Sequence, residues 1–158
     1  NAAAFGELIF NCTLGTASLD ALQQAGADNL KGKILIDTAN PMDYSGAWSL
    51  TVCNTDSLGE QIQRAFPDTQ VVKTLNTMNC NVIVEPEKLP ERTDVFVSGN
   101  SADAKAVVSS ILRSFGWISI IDLGDITTSR AVEMYMLLWR ALRLATSSPR
   151  FNIKIVGS

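Results

Sequence analysis

The sequence predicts an α/β fold in which a mostly parallel, doubly wound sheet lies between two layers of helices. Short apolar runs typical of strands alternate with helical patterns along the chain, and this alternation is typical of right-handed β-α-β crossovers. The run at 34–36 is aliphatic throughout and ends abruptly in polar residues and a proline at 37–41, as expected for a parallel strand buried on both faces. With 158 residues, the chain is long enough for one domain with a real core.

The first half of the chain predicts strands separated by amphipathic helices. Leu19 and Leu22 recur at helical spacing before Gly26, and Glu60 follows a capping residue at Asp56 or Ser57. The predicted elements, in order, are a strand at 8–14, a helix at 17–24, a strand that ends near 40, a lid-like loop at 42–49, a helix that ends before Pro67, and a strand at 70–75.

The second half predicts more strands and two longer helices. Its elements are a short apolar segment at 80–84, a surface loop at 85–92, a strand at 94–99, a helix from Ser101 to Gly116, a strand at 118–123, a helix that begins at Thr127 or Thr128, and a weakly alternating strand at 151–156. The long helix, bounded at 128–145, is apolar almost all round and therefore needs cover. We expect a homodimer through this helix, or contact with a portion of protein that this sequence lacks.

Composition argues against several classes of function. The net charge of −3, the pI near 4.9 and the scattered Lys and Arg residues give no footprint for nucleic acid. No apolar run reaches the length of a membrane span, and the first residues lack the basic start of a signal peptide. We therefore expect a cytoplasmic protein without a membrane partner.

Cysteine and histidine usage narrows the chemistry. The three cysteines are widely spaced, which favours buried free thiols over a disulfide framework or a metal site. The chain has no histidine, which argues against serine-protease-like triads and zinc hydrolysis. Reactions that depend on positioning more than on proton transfer stay open.

Polar residues follow three of the predicted strands at the point where each strand ends. They are Thr13, Asn40 with Pro41, and Asn76 with Thr77. Ligands of open α/β sheets bind in the crevice outside the carboxyl ends of the strands, so these residues predict one polar edge over an apolar sheet. A proline also biases the preceding residue toward an extended conformation, which lets the Asn40 amide project beyond the sheet. An ordinary turn built by Pro41, without a functional role for Asn40, gives the same sequence pattern.

Other motifs have simpler interpretations. No G-x-G-x-x-G and no G-x-x-x-x-G-K-[ST] occurs. The turn at Gly15 predicts the start of a helix, and the alternative that its backbone amides hold one anion stays open. Asp122 and Asp125 are explained by turn chemistry at a strand end. Arg130 and Glu133 stand at helical spacing, which predicts an intrahelical ion pair.

Several segments together resemble one family of enzymes. They are ILIDTANP at 34–41, NTDSLGEQIQRA at 54–65, VVKTLNT at 71–77, DVFVSG at 94–99, FGW at 115–117 and IDLGD at 121–125, with Pro67 and Glu133. Their succession resembles the NADP oxidoreductases that depend on the deazaflavin coenzyme F-420, a group that is similar to the cytosolic reductase domains of the STEAP metalloreductases. The resemblance implies a Rossmann-type domain that binds NADP(H) and transfers hydride between nicotinamide and a small-molecule acceptor, a deazaflavin or a flavin. Alignment of two rings then matters more than proton transfer, which agrees with a chain without histidine.

The resemblance also implies eight cofactor-binding positions, and neither a catalytic residue nor a metal ligand. The positions are Thr13 and Leu14, beyond the strand that passes behind the cofactor; Ala39, Asn40 and Pro41, toward the nicotinamide; and Asn76, Thr77 and Met78, at the border of the hydride-transfer face.

The chain departs from the family pattern at its start. Family members begin with a strand, a Gly-rich dinucleotide loop and residues that read the 2′-phosphate of NADP, whereas this chain starts where the third or fourth strand of the family lies. We therefore expect the C-terminal part of a longer enzyme, without the first β-α-β portion, because a sheet without its central strand exposes an apolar edge. Such a chain alone is expected to bind NADP weakly or not at all.

Two alternatives stay open at this point. The first is a non-catalytic oligomerisation or binding module that kept the sheet and lost dinucleotide binding. The second is a different hydride enzyme on the same scaffold, which reduces an imine or an iron chelate.

Overall fold

A computed structural model describes residues 2–157 of the chain. Asn1 and Ser158, the two ends of the predicted domain at 1–158, lie outside the described residues. The helices are α1 (Ala2–Phe5), α2 (Gly15–Ala25), α3 (Ala27–Leu30), α4 (Leu58–Ala65), α5 (Cys80–Ile83), α6 (Ala102–Ser114) and α7 (Ser129–Thr146). The strands are β1 (Leu8–Asn11), β2 (Ile34–Asp37), β3 (Met42–Asp43), β4 (Ser49–Leu50), β5 (Gln70–Thr74), β6 (Asp94–Ser98) and β7 (Ser119–Gly124). Short 3-10 turns lie at Pro86–Lys88 and Ile126–Thr128.

Five strands form one sheet in the order β1-β2-β5-β6-β7. β1, β2 and β5 are parallel to one another, and β6 is parallel to β7. β5 and β6 are antiparallel. The chain between them contains only one-turn helices, and a parallel pair needs a longer crossover. The predicted α/β fold with a mostly parallel sheet is confirmed.

Successive residues of the central strands pack against different helices, because side chains alternate between the two faces of a strand. Leu35 and Val71 lie in a core with residues of α2 and α4. Ile36 and Val72 lie in a second core with residues of α6. All four side chains are at most 1% exposed, and burial of each stabilises the fold by about 1.5–3 kcal/mol. The sheet is therefore covered on both faces, as the aliphatic runs predict.

Two segments differ from the predictions. The loop expected at 42–49 contains a short antiparallel ribbon, β3 with β4, whose Tyr44 and Trp48 rings meet edge to face at 5.0 Å. The strand expected at 151–156 does not form, although Ile153 accepts a hydrogen bond from the Asp94 amide at 2.9 Å. The Ile155 amide, which would continue a strand ladder with β6, donates to the Asp94 carboxylate instead of to a backbone carbonyl.

The expectation of buried thiols is wrong for two cysteines. Cys12 and Cys80 are exposed, and Cys53 is half-buried. Cys12 directly follows the last residue of β1, and Cys80 is the first residue of α5. Both lie outside the strands that the helices cover, so neighbouring elements do not enclose their side chains.

Helix α7 is more amphipathic than the sequence predicts. Met136 and Trp139 pack in a third apolar cluster with Met42 of β3, whereas Leu138 and Leu144 are 55% and 66% exposed. Across residues 2–157, no helix has both the length and the apolar character that a bilayer crossing requires. The cytoplasmic location stays a prediction of the sequence.

Candidate functional site

The carboxyl ends of β1, β2 and β5 meet at one edge of the sheet. Asn11 pairs in register with Asp37, and Asp37 pairs with Lys73. The eight positions named from the sequence follow within a few residues of these strand ends. We call residues 13–14, 39–41 and 76–78 the rim.

The centre of the rim is a pair of asparagine side chains. Asn40 Nδ2 donates to the Asn76 carbonyl oxygen at 2.8 Å, and Asn76 Nδ2 donates to Asn40 Oδ1 at 2.9 Å. Asn76 Nδ2 also donates to the carbonyl oxygen of Val132 in α7, at 3.1 Å. Asn76 is buried and Asn40 is half-buried, so Asn40 is the member of the pair that solvent reaches. The sequence prediction that the Asn40 amide lies beyond the strand end holds, but the amide is held by its neighbour.

The residue before Asn76 has a strained backbone conformation that places Asn76 in this pair. Leu75, the residue before it, has φ of +61° and is 3% exposed. A branched side chain in the left-handed region costs on the order of 1–3 kcal/mol and persists only where the surroundings impose it. Here the three hydrogen bonds of Asn76 and the buried Leu75 side chain impose the turn.

The end of β1 is the exposed side of the rim. Thr13 and Leu14 are both exposed, and Thr13 Oγ1 donates to the buried Asn11 Oδ1 at 2.7 Å. Leu14 occupies the N-cap position of α2 and supplies no side-chain cap. A helix N-terminus presents backbone N–H groups and a partial positive charge, so α2 aims hydrogen-bond donors at the rim.

Gly15 brings α2 into direct contact with the Asn40 backbone. A Cβ atom built on Gly15 lies 1.9 Å from the Asn40 carbonyl oxygen and 2.5 Å from its carbonyl carbon. Only glycine fits at this approach. The sequence assigned Gly15 to the start of a helix, which is correct, and did not indicate its contact with the next strand end.

The remaining predicted positions form the buried floor of the rim. Ala39, Pro41, Thr77 and Met78 are all buried, Thr77 at 2% exposure. They shape the rim from beneath and do not form its accessible surface. The rim residues that solvent reaches are therefore Thr13, Leu14 and Asn40.

A buried ion cluster lies directly beneath the rim. The Lys73 side chain is wholly buried, and its Nζ lies 2.7 Å from Asp37 Oδ2, 2.8 Å from Glu133 Oε1 and 2.5 Å from the Ala39 carbonyl oxygen. The three N–H bonds of the ammonium thus have three acceptors. Burial disfavours the charged form of Lys73, but the two carboxylates outweigh that effect and raise the pKa of Lys73 above its ordinary value.

The carboxylates of this cluster are also held by other groups. Asp37 Oδ1 accepts from Asn11 Nδ2 at 2.8 Å and from the Ala39 amide at 3.2 Å. Glu133 accepts from the amides of Leu58 and Gly59, at 2.8 and 3.0 Å, in the first turn of α4. A carboxylate at a helix N-terminus is favourably placed. The cluster therefore joins the rim to α4 and α7.

The predicted ion pair between Arg130 and Glu133 is wrong. Arg130 instead makes two hydrogen bonds to Glu60 of α4, Nε to Oε2 at 2.8 Å and Nη2 to Oε1 at 2.5 Å. The Arg130 guanidinium lowers the pKa of Glu60 below its ordinary value. Residues of α7 pair with α4 and β5 because those elements pack against its first turns, and a buried charge needs a partner more than an exposed one does.

The sequence contained one signal for the missed cluster. Lys73 interrupts the apolar run of β5 at a position that the strand pattern buries. Lysine is almost never fully buried unless it is paired, so the pattern calls for a buried acid. Which acid it is, 36 residues before or 60 after, cannot be known before the fold brings Asp37 and Glu133 to it.

The two aspartates assigned to turns behave as predicted. Asp122 Oδ1 accepts from the Gly124 amide at 2.9 Å, and Asp125 Oδ1 accepts from the Thr127 amide at 2.9 Å. Asp122 also pairs with Lys105 at 2.7 Å. Residues 2–157 contain no group of three or more His, Cys, Asp or Glu placed to hold a metal ion.

The parallel strand ends, the glycine approach and the helix N-terminus aimed at the rim define a Rossmann-like domain, of the class found in the NADP-binding domains of reductases. No family model matches the chain. A crystal structure from Arthrobacter sp. FB24, described as that of a candidate F420-dependent NADP reductase, is 52% identical. The match has a TM-score of 0.96 and covers 98% of this chain and 72% of that one. The chain belongs to the same family as this protein, that of the F420-dependent NADP reductases.

Two curated relatives agree with this assignment. The F420-dependent NADP reductase of Methanocaldococcus jannaschii is 26% identical over 133 residues, which are 82% of this chain and 59% of the reductase. Metalloreductase STEAP3 of Rattus norvegicus is 30% identical over 107 residues, 68% of this chain and 20% of that protein. The chain thus spans less than two thirds of the length of either curated relative. The family resemblance seen in the sequence is supported at the level of homology.

More distant solved structures show the fold alone. A reductive aminase from Aspergillus terreus, solved in complex with NADPH, is 18% identical with a TM-score of 0.58 and matches 92% of this chain. The imine reductase BcSIRED from Bacillus cereus is 12% identical with a TM-score of 0.59.

Proposed function

We propose that this chain forms the nicotinamide end of an NADP(H)-dependent oxidoreductase that transfers hydride between nicotinamide and a deazaflavin- or flavin-type acceptor. The observation that carries the proposal is the rim, where Thr13, Asn40 and Asn76 follow the carboxyl ends of three neighbouring parallel strands and the amides of Asn40 and Asn76 bond each other. This is the crevice in which α/β sheets bind ligands. Membership in the family supports NADP(H) as the cofactor, and the name of the Methanocaldococcus relative supports a deazaflavin acceptor.

The residues present fit a nicotinamide nucleotide. Thr13 is an exposed residue whose hydroxyl donates to Asn11, and the Asn40 amide is half-buried; the hydroxyl oxygen and the amide can still bond a carboxamide or a ribose. The uncapped first turn of α2 offers backbone amides beside them. Gly15, without a side chain, lets this turn lie against the Asn40 backbone, so both sets of groups face one ligand.

Bound NADPH supplies the hydride, and the residues of this chain supply alignment. Asn76 holds Asn40, and α7 holds Asn76 through the Val132 carbonyl oxygen, so the amide that faces the ligand has one orientation. A fixed amide beside the nicotinamide sets the distance and angle of the ring to the acceptor, on which a direct transfer depends. None of these groups needs to gain or lose a proton.

A titration of NADPH into the full-length protein tests the cofactor. We expect Asn40→Asp and Asn76→Ala to weaken binding by roughly tenfold or more, because each removes part of the rim pair and leaves a partner unsatisfied. Asn29→Ala is the matched control, since the Asn29 amide also donates to a backbone carbonyl, that of Ala25, far from the rim. No binding by the wild-type protein, or binding that neither rim substitution alters, contradicts the proposal and favours the non-catalytic module.

The identity of the acceptor needs a separate experiment. With NADPH oxidation followed by absorbance, the full-length protein is offered deazaflavin F-420, FAD, FMN, small imines and a ferric chelate. We expect the deazaflavin or a flavin to give the highest kcat/KM. Preference for an imine or for the ferric chelate assigns a different reductase on the same scaffold.

We also propose that the protein is a homodimer through α7. Support comes from the leucines on its outer side, since Leu137, Leu138, Leu142 and Leu144 are 38–66% exposed. Clustered exposed apolar side chains on one helix are typical of interaction surfaces.

A further inference from the structure

We infer that Lys73 is a positioning residue of the rim, which sets the place of the Ala39-Asn40-Pro41 wall through the Ala39 backbone. The inference rests on the proposed function for its catalytic consequence. Its structural part concerns only groups of this chain.

The first step is how Ala39 is held. Its carbonyl oxygen accepts from Lys73 Nζ at 2.5 Å, and its amide donates to Asp37 Oδ1 at 3.2 Å. Both polar backbone groups of the residue before Asn40 are therefore bonded to one buried ion pair. Charge-assisted hydrogen bonds are shorter and stronger than neutral ones, so this peptide is anchored more firmly than an ordinary strand end.

The second step is how that anchor reaches the ligand-facing amide. Ala39 is joined directly to Asn40. Asn76 lies three residues after Lys73, and its amide completes the rim pair. Lys73 thus influences the position of both members of the pair. It is linked to Asn40 through Ala39 and to Asn76 through the end of β5. Movement of the ammonium moves the wall and the pair together.

The third step is how Lys73 itself is held. Glu133 bonds Lys73 with Oε1 and is itself fixed by the amides of Leu58 and Gly59 in α4. Its neighbour Val132 accepts from Asn76. Two successive residues of α7 therefore brace both Lys73 and Asn76, and the packing of α7 against β5 and α4 determines the geometry of the rim.

A double variant tests the inference without a change in the net charge of the buried cluster. Lys73→Met alone leaves two carboxylates without their cation and is expected to unfold the protein. Lys73→Met with Glu133→Gln removes one positive and one negative charge, and so preserves the net charge of the cluster formed with Asp37. Glu133→Gln alone leaves the bond between Lys73 and the Ala39 carbonyl oxygen in place. It therefore separates the loss of that bond from the loss of the ion pair between Lys73 and Glu133.

The matched control is Lys105→Met. Lys105 also bonds one carboxylate and one carbonyl oxygen, those of Asp122 and Gly124, at 2.7 and 2.9 Å. These groups lie at the carboxyl end of β7, away from the rim. A substitution there removes the same kind of contact without touching Ala39.

The first readout is NMR of the protein without cofactor. We expect the double variant to shift the carbonyl carbon of Ala39 and the side-chain amides of Asn40 and Asn76. Glu133→Gln is expected to shift these signals less, because Lys73 keeps its bonds to Ala39 and Asp37, and Lys105→Met is expected to leave them in place. A folded double variant whose Ala39 and Asn40 signals match those of the wild type overturns the inference. This readout stands even where the wild-type protein proves not to bind NADPH, which contradicts only the proposed function.

The second readout is kinetic. In the full-length protein we expect the double variant to lower kcat by roughly tenfold to a hundredfold, because small misplacements of reacting groups are costly. The Kd for NADPH is expected to change less than kcat does, since parts of the dinucleotide away from the reacting ring supply much of its binding energy. A kcat equal to that of Lys105→Met, or a loss confined to Kd, overturns the positioning role.

Discussion

Gly15→Ala is expected to separate α2 from the rim. The added Cβ lies 1.9 Å from the Asn40 carbonyl oxygen and 3.0 Å from Pro41 Cα, whereas ordinary contact begins at 3.4 Å. The helix and the wall must therefore move apart by 1.5 Å, the difference between 3.4 and 1.9 Å. Both atoms in the clash belong to backbone or are fixed to it, so no side-chain rotation relieves the clash.

The magnitude follows from two opposed terms. Overpacking of a tight contact costs typically about 1–3 kcal/mol, and a helical Gly→Ala substitution returns at most about 1 kcal/mol of propensity. We expect a net loss of roughly 1–2 kcal/mol, which lowers Tm by about 2–8 °C for a chain of this size. A displacement of this kind at the rim is also expected to cost up to about a hundredfold in hydride-transfer rate.

The assay combines thermal unfolding with NADPH turnover, and the control is Gly46→Ala. An added Cβ at Gly46 meets no atom within 4 Å, and this exposed residue lies in the turn between β3 and β4. We expect the control to match the wild type in both measurements. A Gly15→Ala protein with the Tm and turnover of Gly46→Ala refutes the reasoning about the close approach.

Three further predictions concern charge and assembly. Glu133→Gln is expected to lower the free energy of unfolding by roughly 3 kcal/mol because it breaks a buried pair, and Arg130→Gln by about 1 kcal/mol or less because its pair is partly exposed. Equal losses in urea unfolding contradict the reasoning from burial. Arg64 lowers the pKa of Asp56 from 3.8 to about 2, so this pair contributes stability above pH 3.8 that is lost as the pH falls through about 2. The difference in unfolding free energy between wild type and Asp56→Asn is therefore expected to shrink across that window, and a constant difference contradicts the prediction. In analytical ultracentrifugation at micromolar concentration, we expect a dimer for the wild type and a monomer for Leu138→Asp; a wild-type monomer contradicts the α7 interface.

Local patterns were sufficient for most of the fold. Continuous aliphatic runs in β2 and β5 and helical spacing in α6 predicted the layers, because these patterns depend only on neighbouring residues. Ser57 was named as a cap of α4, and its Oγ accepts from the Glu60 amide at 3.1 Å. The strand predicted at 151–156 does not form, because its alternation is weak and the Ile155 amide donates to the Asp94 carboxylate.

The polar edge of the candidate site could also be predicted, but not its internal bonds. Parallel strands that are neighbours bring Thr13, Asn40 and Asn76 to one edge whatever their side chains do. The bond between Asn40 and Asn76 depends on the left-handed turn at Leu75, and no rule of spacing predicts a branched residue there.

By itself, the sequence determined the α/β class, the strand ends that form the rim and the family to which these segments are similar. The tertiary structure decided which partners meet: Lys73 with Asp37 and Glu133, Arg130 with Glu60, and Gly15 with the Asn40 backbone. The physical reason is range. Secondary structure and burial follow from periods of a few residues, whereas a buried charge is neutralised by whatever the packing of distant elements places within hydrogen-bonding distance.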